Sequence, residues 1–215
     1  MPSSRTHDRR LFLATLAAAL IVPRRSRAQS AEELLVAAIQ DGNKVIYLRH
    51  AITNQAEVDT GRLGDRTGQR NLSPQGIQQA RRLGDALRAL RVPLNEILAS
   101  PVFRARDTGE LAFGADRILV TDDLVADDYA GNKLQAMVEA TRRHLRTPTP
   151  GGHNRVLIGH RIPLEMVTSR QFPDSLLPEG AMAVFLPDRE PRLLGVLTAE
   201  RIVQAAESRG ALPRR

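Results

Sequence analysis

Hydrophobic and polar positions along this chain fall into blocks that alternate between strand-like and helix-like patterns. Lys44-Val45-Ile46-Tyr47-Leu48-Arg49 is a short apolar run rich in β-formers and predicts a buried first strand. Residues 32–41 before it read as a short helix that Gly42-Asn43 ends. Residues 51–72 carry Gly61, Gly64 and Gly68 among polar groups and follow no period, which predicts a long loop. Loops of that length usually have a functional reason. Ser73-Pro74-Gln75-Gly76 then supplies an N-cap followed by proline at the first helical position. Ile77, Ala80, Leu83, Leu87 and Leu90 share one face of a helix reaching about Arg91, with Arg81, Arg82 and Arg88 on its solvated side.

Pro93 separates that helix from a second short strand at 96–99. A helix is expected from Ala105 to Gly114, a strand at 118–120, and a helix from Leu134 to Leu145. Thr147-Pro148-Thr149-Pro150-Gly151-Gly152 reads as a turn. Residues 155–159 read as another buried strand, leading into a helix near Pro163. Late strands at 181–186 and 193–197 and a terminal helix after Thr198 complete the pattern. Alternating strands and helices predict the α/β class: a three-layer α/β/α sandwich with a mostly parallel central sheet. Residues 29–215 are long enough for one domain with a substantial core.

The formal net charge is +7, and most of it sits in residues 1–28, which hold six arginines against the single acid Asp8. The rest is nearly balanced, aromatics make up 3%, and there is no tryptophan, so no nucleic-acid surface is indicated. Arg9-Arg10 precedes the 12-residue apolar stretch 11–22, and Ser26-Arg27-Ala28 resembles a cleavage site. That apolar stretch is shorter than the roughly 18 residues of a spanning helix. Residues 1–28 therefore read as a twin-arginine-like export signal. The expected location is periplasmic or otherwise exported, with an uncleaved N-terminal anchor as the alternative, and the membrane is met only through this segment. The chain has no cysteine, which excludes disulfides, thiolate catalysis and cysteine-ligated metal.

The candidate chemistry begins with Arg49-His50, delivered by the first strand to the sheet edge where open α/β sheets hold ligands. A cation beside an imidazole can bind a phosphate and attack it. Ser100-Pro101-Val102-Phe103-Arg104 and Gly159-His160 follow later strands and supply matching groups. There is no Walker loop and no dinucleotide-binding fingerprint, and no carboxylate stands at metal-ligand spacing beside His50 or His160. His144 and His153 read as solvent-exposed.

The order of these motifs resembles the histidine phosphatase superfamily, also called phosphoglycerate mutase-like, over roughly residues 44–187. It runs Arg49-His50 with Thr53, Leu72-Ser73-Pro74-Gln75-Gly76 with Gln79-Ala80, Ser100-Pro101 with Arg104 and Thr108, then Gly159-His160. Thr67-Gly68-Gln69-Arg70-Asn71-Leu72-Ser73 is similar to a bacterial subgroup of that family. The resemblance implies a metal-independent, cofactor-free phosphomonoesterase acting on a small phosphorylated molecule, with no obligate protein partner. By it His50 is the nucleophile that forms a phosphohistidine, and Arg49, Arg104 and His160 surround the phosphoryl oxygens. Thr53, Asn54, Arg70 and Arg161 are candidate substrate contacts. Arg161 adds charge for a polyanionic substrate or is a surface residue. The family often has a Leu-x-Glu acid, where this chain has Leu124-Val125-Ala126. Asp127 is the nearest substitute, followed by Asp128, Glu165 and Glu179. A catalytically inactive phosphate-ester-binding module is the alternative, and a phosphomutase a more distant one.

Overall fold

Val45, Ile46, Tyr47, Leu48 and Arg49 form a first strand, β1, in which every residue is buried. The computed structural model describes residues 30–213, so the export signal expected over 1–28 lies outside the described residues. The other strands are β2 (Leu94–Ala99), β3 (Leu119–Val120), β4 (Asn154–Gly159), β5 (Met182–Leu186) and β6 (Arg192–Leu197). They make one six-stranded sheet in the order β3-β2-β4-β1-β5-β6. The first four in that order are mutually parallel, while β5 runs antiparallel to β1 and β6 antiparallel to β5. The sheet is thus mixed but mostly parallel.

The helices are α1 (Ala31–Asp41), α2 (Pro74–Ala89), α3 (Phe103–Phe113), α4 (Asp127–Ala130), α5 (Leu134–Arg146), α6 (Arg161–Thr168) and α7 (Ala199–Ser208). Strand pleating sorts β1 between two cores, because successive side chains point to opposite faces. Ile46 and Leu48 pack with residues of α1, α2, α3 and α7. Val45 and Tyr47 pack with residues of α4, α5 and α6. Both faces of the sheet are therefore covered, which gives the three-layer α/β/α sandwich and explains the apolar centres of β1 and β4.

Local chemistry accounts for the element ends. The Ser73 hydroxyl caps α2 by accepting from the Gly76 amide at 3.0 Å, with Pro74 at the first helical position. Gly84 lets α2 and α3 approach closely, since a Cβ there would fall 2.0 Å from the Ala112 carbonyl oxygen. α6 begins at Arg161, before Pro163, because the first-turn amides of a helix need no intrahelical partner. The acidic segment after β3 folds into a 3-10 turn at Asp122–Leu124 and the short α4. The long loop 51–72 is ordered by a lone bridge between Thr53 and Leu72 and by a 3-10 turn at Arg66–Gly68. Among the described residues no helix is long and apolar enough to cross a membrane.

Two register facts build the site. Arg49 of β1 pairs with Gly159 of β4, so His50 and His160 leave neighbouring parallel strands side by side. β2 ends beside them, and the Ser100 amide donates to the Ile158 carbonyl at 2.9 Å.

Candidate active site

His50 is buried, and its Nδ1 lies 2.9 Å from the Ala51 carbonyl oxygen. A carbonyl only accepts, so the proton is assigned to Nδ1 and the Nε2 lone pair is left to react. Burial pushes the His50 pKa well below the usual imidazole value, and the Arg104, Arg49 and Arg70 charges push it the same way. The ring is therefore neutral. Glu179 braces the same region. Its carboxylate accepts from the Thr53 hydroxyl at 2.7 Å and the Thr53 amide at 3.2 Å, and one oxygen stands 3.9 Å from His50 Nδ1.

His160 is held through Ser100 and Tyr47. Ser100 Oγ accepts from the Val102 amide at 3.2 Å, so its hydroxyl proton can go to His160 Nε2 at 2.9 Å. That network assigns the ring proton of His160 to Nδ1, which is buried with no protein partner. The Tyr47 hydroxyl donates to the His160 carbonyl at 3.0 Å and accepts from its amide at 3.2 Å. Gly159 makes this brace fit, because a Cβ there would lie 2.4 Å from the Tyr47 hydroxyl. The His50 and His160 ring centroids are 5.5 Å apart. Burial also lowers the pKa of His160, with Arg104 as the next cause.

The arginines show where an anion belongs. Arg49 Nε, Arg70 Nε and Arg104 Nε are buried N–H groups without a partner among the described residues, and His160 Nδ1 is a buried ring nitrogen likewise without one. Buried donors are normally paired, and leaving one unpaired costs about 1–3 kcal/mol. The charges of Arg104, Arg49 and Arg70 are all felt at both histidines. Arg104 Nη1 donates to Asp59 Oδ1 at 2.9 Å and Oδ2 at 3.1 Å. Asp59 also accepts from the Tyr129 hydroxyl at 2.6 Å and the Arg70 amide at 2.9 Å. Burial raises the Asp59 carboxyl, but these hydrogen bonds and the Arg104 charge outweigh it and hold the group below the usual carboxylate range. A polar cleft of about 560 Å³ is lined by Arg49, Arg70, Arg161, Gln79, Asp174 and Glu179.

A family model described as histidine phosphatase superfamily (branch 1) matches residues 45–169. The chain belongs to the histidine phosphatase superfamily. No curated protein matches it. Solved structures similar to it include a suggested α-ribazole-5′-P phosphatase of Escherichia coli K-12, with 17% identity over 74% of this chain and 98% of that one, at a TM-score of 0.50. An open-reading-frame product of Mycobacterium tuberculosis gives 16% identity, 73% and 98% coverage, and a TM-score of 0.50. Phosphoserine phosphatase of Entamoeba histolytica gives 15%, 74% and 98%, and 0.48. At these identities the likeness to the first two shows a shared fold.

Within this histidine phosphatase fold the remaining candidate residues fall in several settings. Thr53 is buried and spends its hydroxyl on Glu179. Asn54 sits in the loop, its side chain donating to Glu57 at 3.1 Å and accepting from the Ala56 amide at 3.2 Å. Arg70 and Arg161 both line the cleft. Glu165 pairs with Arg161 at 3.1 Å and accepts from the Phe172 amide at 2.8 Å. Asp127 and Asp128 open α4, and the Asp128 side chain is exposed to solvent. Protein atoms still crowd the Asp128 carboxyl, and that desolvation raises its pKa above the usual value despite the opposing Arg104 charge. Asp59, Tyr129 and Asp174 are site residues that sequence reasoning missed. Asp59 and Asp174 lie in loops with no periodic pattern, and their partners are 45 and 125 residues away. Among the described residues no group of three or more histidines and carboxylates could hold a metal ion.

Proposed function

We propose that this chain is a phosphomonoesterase that works through phospho-His50. The observation that carries this reading is the set of four unpartnered buried nitrogens on Arg49, Arg70, Arg104 and His160, gathered around a neutral histidine. Those donors suit the oxygens of a phosphoryl group, and their fixed positive charge favours a transition state in which negative charge spreads over them. His50 Nε2 forms the N–P bond with its lone pair as the ester P–O bond breaks. The leaving alkoxide takes a proton from a carboxylic acid. Water then attacks phosphorus and returns a proton to the carboxylate, the N–P bond breaks, and orthophosphate leaves with neutral His50 and the carboxylic acid restored.

Asp128 is one candidate proton donor, its carboxyl raised by the protein atoms that crowd it despite the Arg104 charge. Asp127, beside it, is the other candidate. We also propose that the enzyme acts after export, on the basis of residues 1–28 alone.

The test is hydrolysis of an activated aryl phosphate by the full-length protein with chelator present, beside His50→Ala. Turnover that vanishes in the variant is expected, together with an alkali-stable, acid-labile phosphoryl label on the wild-type protein. A His50→Ala protein that stays folded and retains turnover would overturn the mechanism.

A further inference from the structure

The cleft holds more positive charge than one phosphoryl group requires. The Arg49, Arg70 and Arg104 charges all act on the histidines, and Arg161 lines the cleft beside Arg49 and Arg70. Asp174, on the segment between α6 and β5, reaches across to this group. Its carboxylate accepts from Arg49 Nη1 and stands 3.7 Å from Arg161 Nε. Asp174 remains 72% exposed, so burial does not hold it there. The Arg49 hydrogen bond holds its carboxyl below the usual range, and Arg161 and Arg70 add to that. The Arg70 guanidinium has no carboxylate partner among the described residues and keeps a buried, unpartnered Nε. Arg161 is only partly neutralised by Glu165 within its own helix, at 3.1 Å.

An exposed aspartate held against two arginines marks a position where a second negative group is stabilised. We propose that Arg161, with the outer edge of Arg49, forms a second anion subsite that Asp174 fills from within the chain. The substrates that fit carry another phosphate, or an equivalent acidic group, close to the ester they surrender. On binding, that group exchanges with Asp174 on the arginines, and the aspartate turns to solvent at little cost because it is already exposed. No bond is made or broken in this exchange. Arg161 and Asp174 are positioning and specificity residues, and the subsite rests on the phosphatase reading of the inner pocket.

Two measurements separate this subsite from the chemistry. The first is calorimetric titration of the full-length protein with orthophosphate and with methylenediphosphonate, which needs no turnover. The diphosphonate is expected to bind about tenfold tighter or better, the scale of one added charge-assisted contact. Arg161→Gln should remove that advantage while leaving orthophosphate affinity within about twofold, and Asp174→Asn should increase it. The second is phosphate release from propane-1,3-diol monophosphate and bisphosphate, where kcat/KM should favour the bisphosphate in the wild type and not in Arg161→Gln. Equal affinity for the two anions, or an advantage that survives Arg161→Gln, would overturn the subsite. Loss of the subsite with aryl phosphate turnover intact would leave the phosphatase mechanism standing. Diphosphonate preference without turnover in any assay would do the reverse.

Discussion

Asp59 grips Arg104 through both carboxylate oxygens, 2.9 and 3.1 Å from the same guanidinium nitrogen. The contact ties the long loop 51–72 to the start of α3 and fixes the arginine nearest in effect to both histidines. Removing one partner of a buried charge pair is costly because the other is left unmatched. Asp59→Asn keeps the shape but removes the charge. Its kcat/KM on an aryl phosphate is expected to fall by about 10- to 100-fold, with KM for the ester and the inhibition constant for orthophosphate both raised. Wild-type kinetics in a folded Asp59→Asn protein would contradict this positioning role.

Gly159 and Tyr47 should couple. A methyl group at 159 collides with the Tyr47 hydroxyl oxygen at 2.4 Å, and the next ring atom is 3.0 Å away. Gly159→Ala is expected to destabilise by about 1–3 kcal/mol through overpacking and to displace His160. Tyr47→Phe alone loses the hydroxyl that both donates to and accepts from the His160 backbone. The double variant should be less damaged than the sum of the two, a non-additivity that urea unfolding measures directly. Simple additivity would mean the collision is relieved some other way.

The two buried histidines set a pH dependence with a definite sign. Both have pKa values held well below 6.5 in the folded chain, chiefly by burial. Below an unfolded value of about 6.5 the unfolded chain binds more protons than the folded one, so stability rises with pH there. Acidification from neutrality should therefore lower the unfolding midpoint progressively below about pH 6.5. His50→Ala should show a shallower fall over the same interval, as thermal unfolding at several pH values would reveal. An unchanged slope would mean that His50 is not buried neutral.

The acidic pair can be split by leaving group. An alkoxide needs a proton far more than an aryl oxide does, so loss of the acid should hurt alkyl esters selectively. Asp128→Asn is expected to reduce kcat on an alkyl phosphate by about 10²-fold or more while sparing an aryl phosphate, within the usual range for general acids. Asp127→Asn is expected to be milder on both. The opposite ranking would assign the proton to Asp127.

The inner half of the site was legible because strand ends announce themselves. The apolar run into Arg49-His50 and the second run into Gly159-His160 define parallel strands, and sheet geometry brings their ends together. The Ser73-Pro74 cap likewise gave the start of α2. Loop chemistry was not legible, since Asp59 and Asp174 act through partners far along the chain and no local pattern selects them. Thr53 shows the same limit from the other side. Its position after His50 predicts a substrate contact, and nothing near it in the chain announces that its hydroxyl also bonds Glu179, 126 residues later. Element ends moved by a residue or two for local reasons, as with α6 starting ahead of Pro163.

The pairing of Arg49 with Gly159 has a consequence for how activity is acquired. In a pleated sheet a slip of one residue turns every side chain to the opposite face. A molecule with β1 and β4 mismatched by one position would send one histidine to the wrong side while keeping a nearly complete sheet. Its circular dichroism would hardly change, yet it could not bring both rings to one pocket. Specific activity recovered on refolding is therefore a vernier for strand alignment, sensitive to an error that bulk spectroscopy passes over.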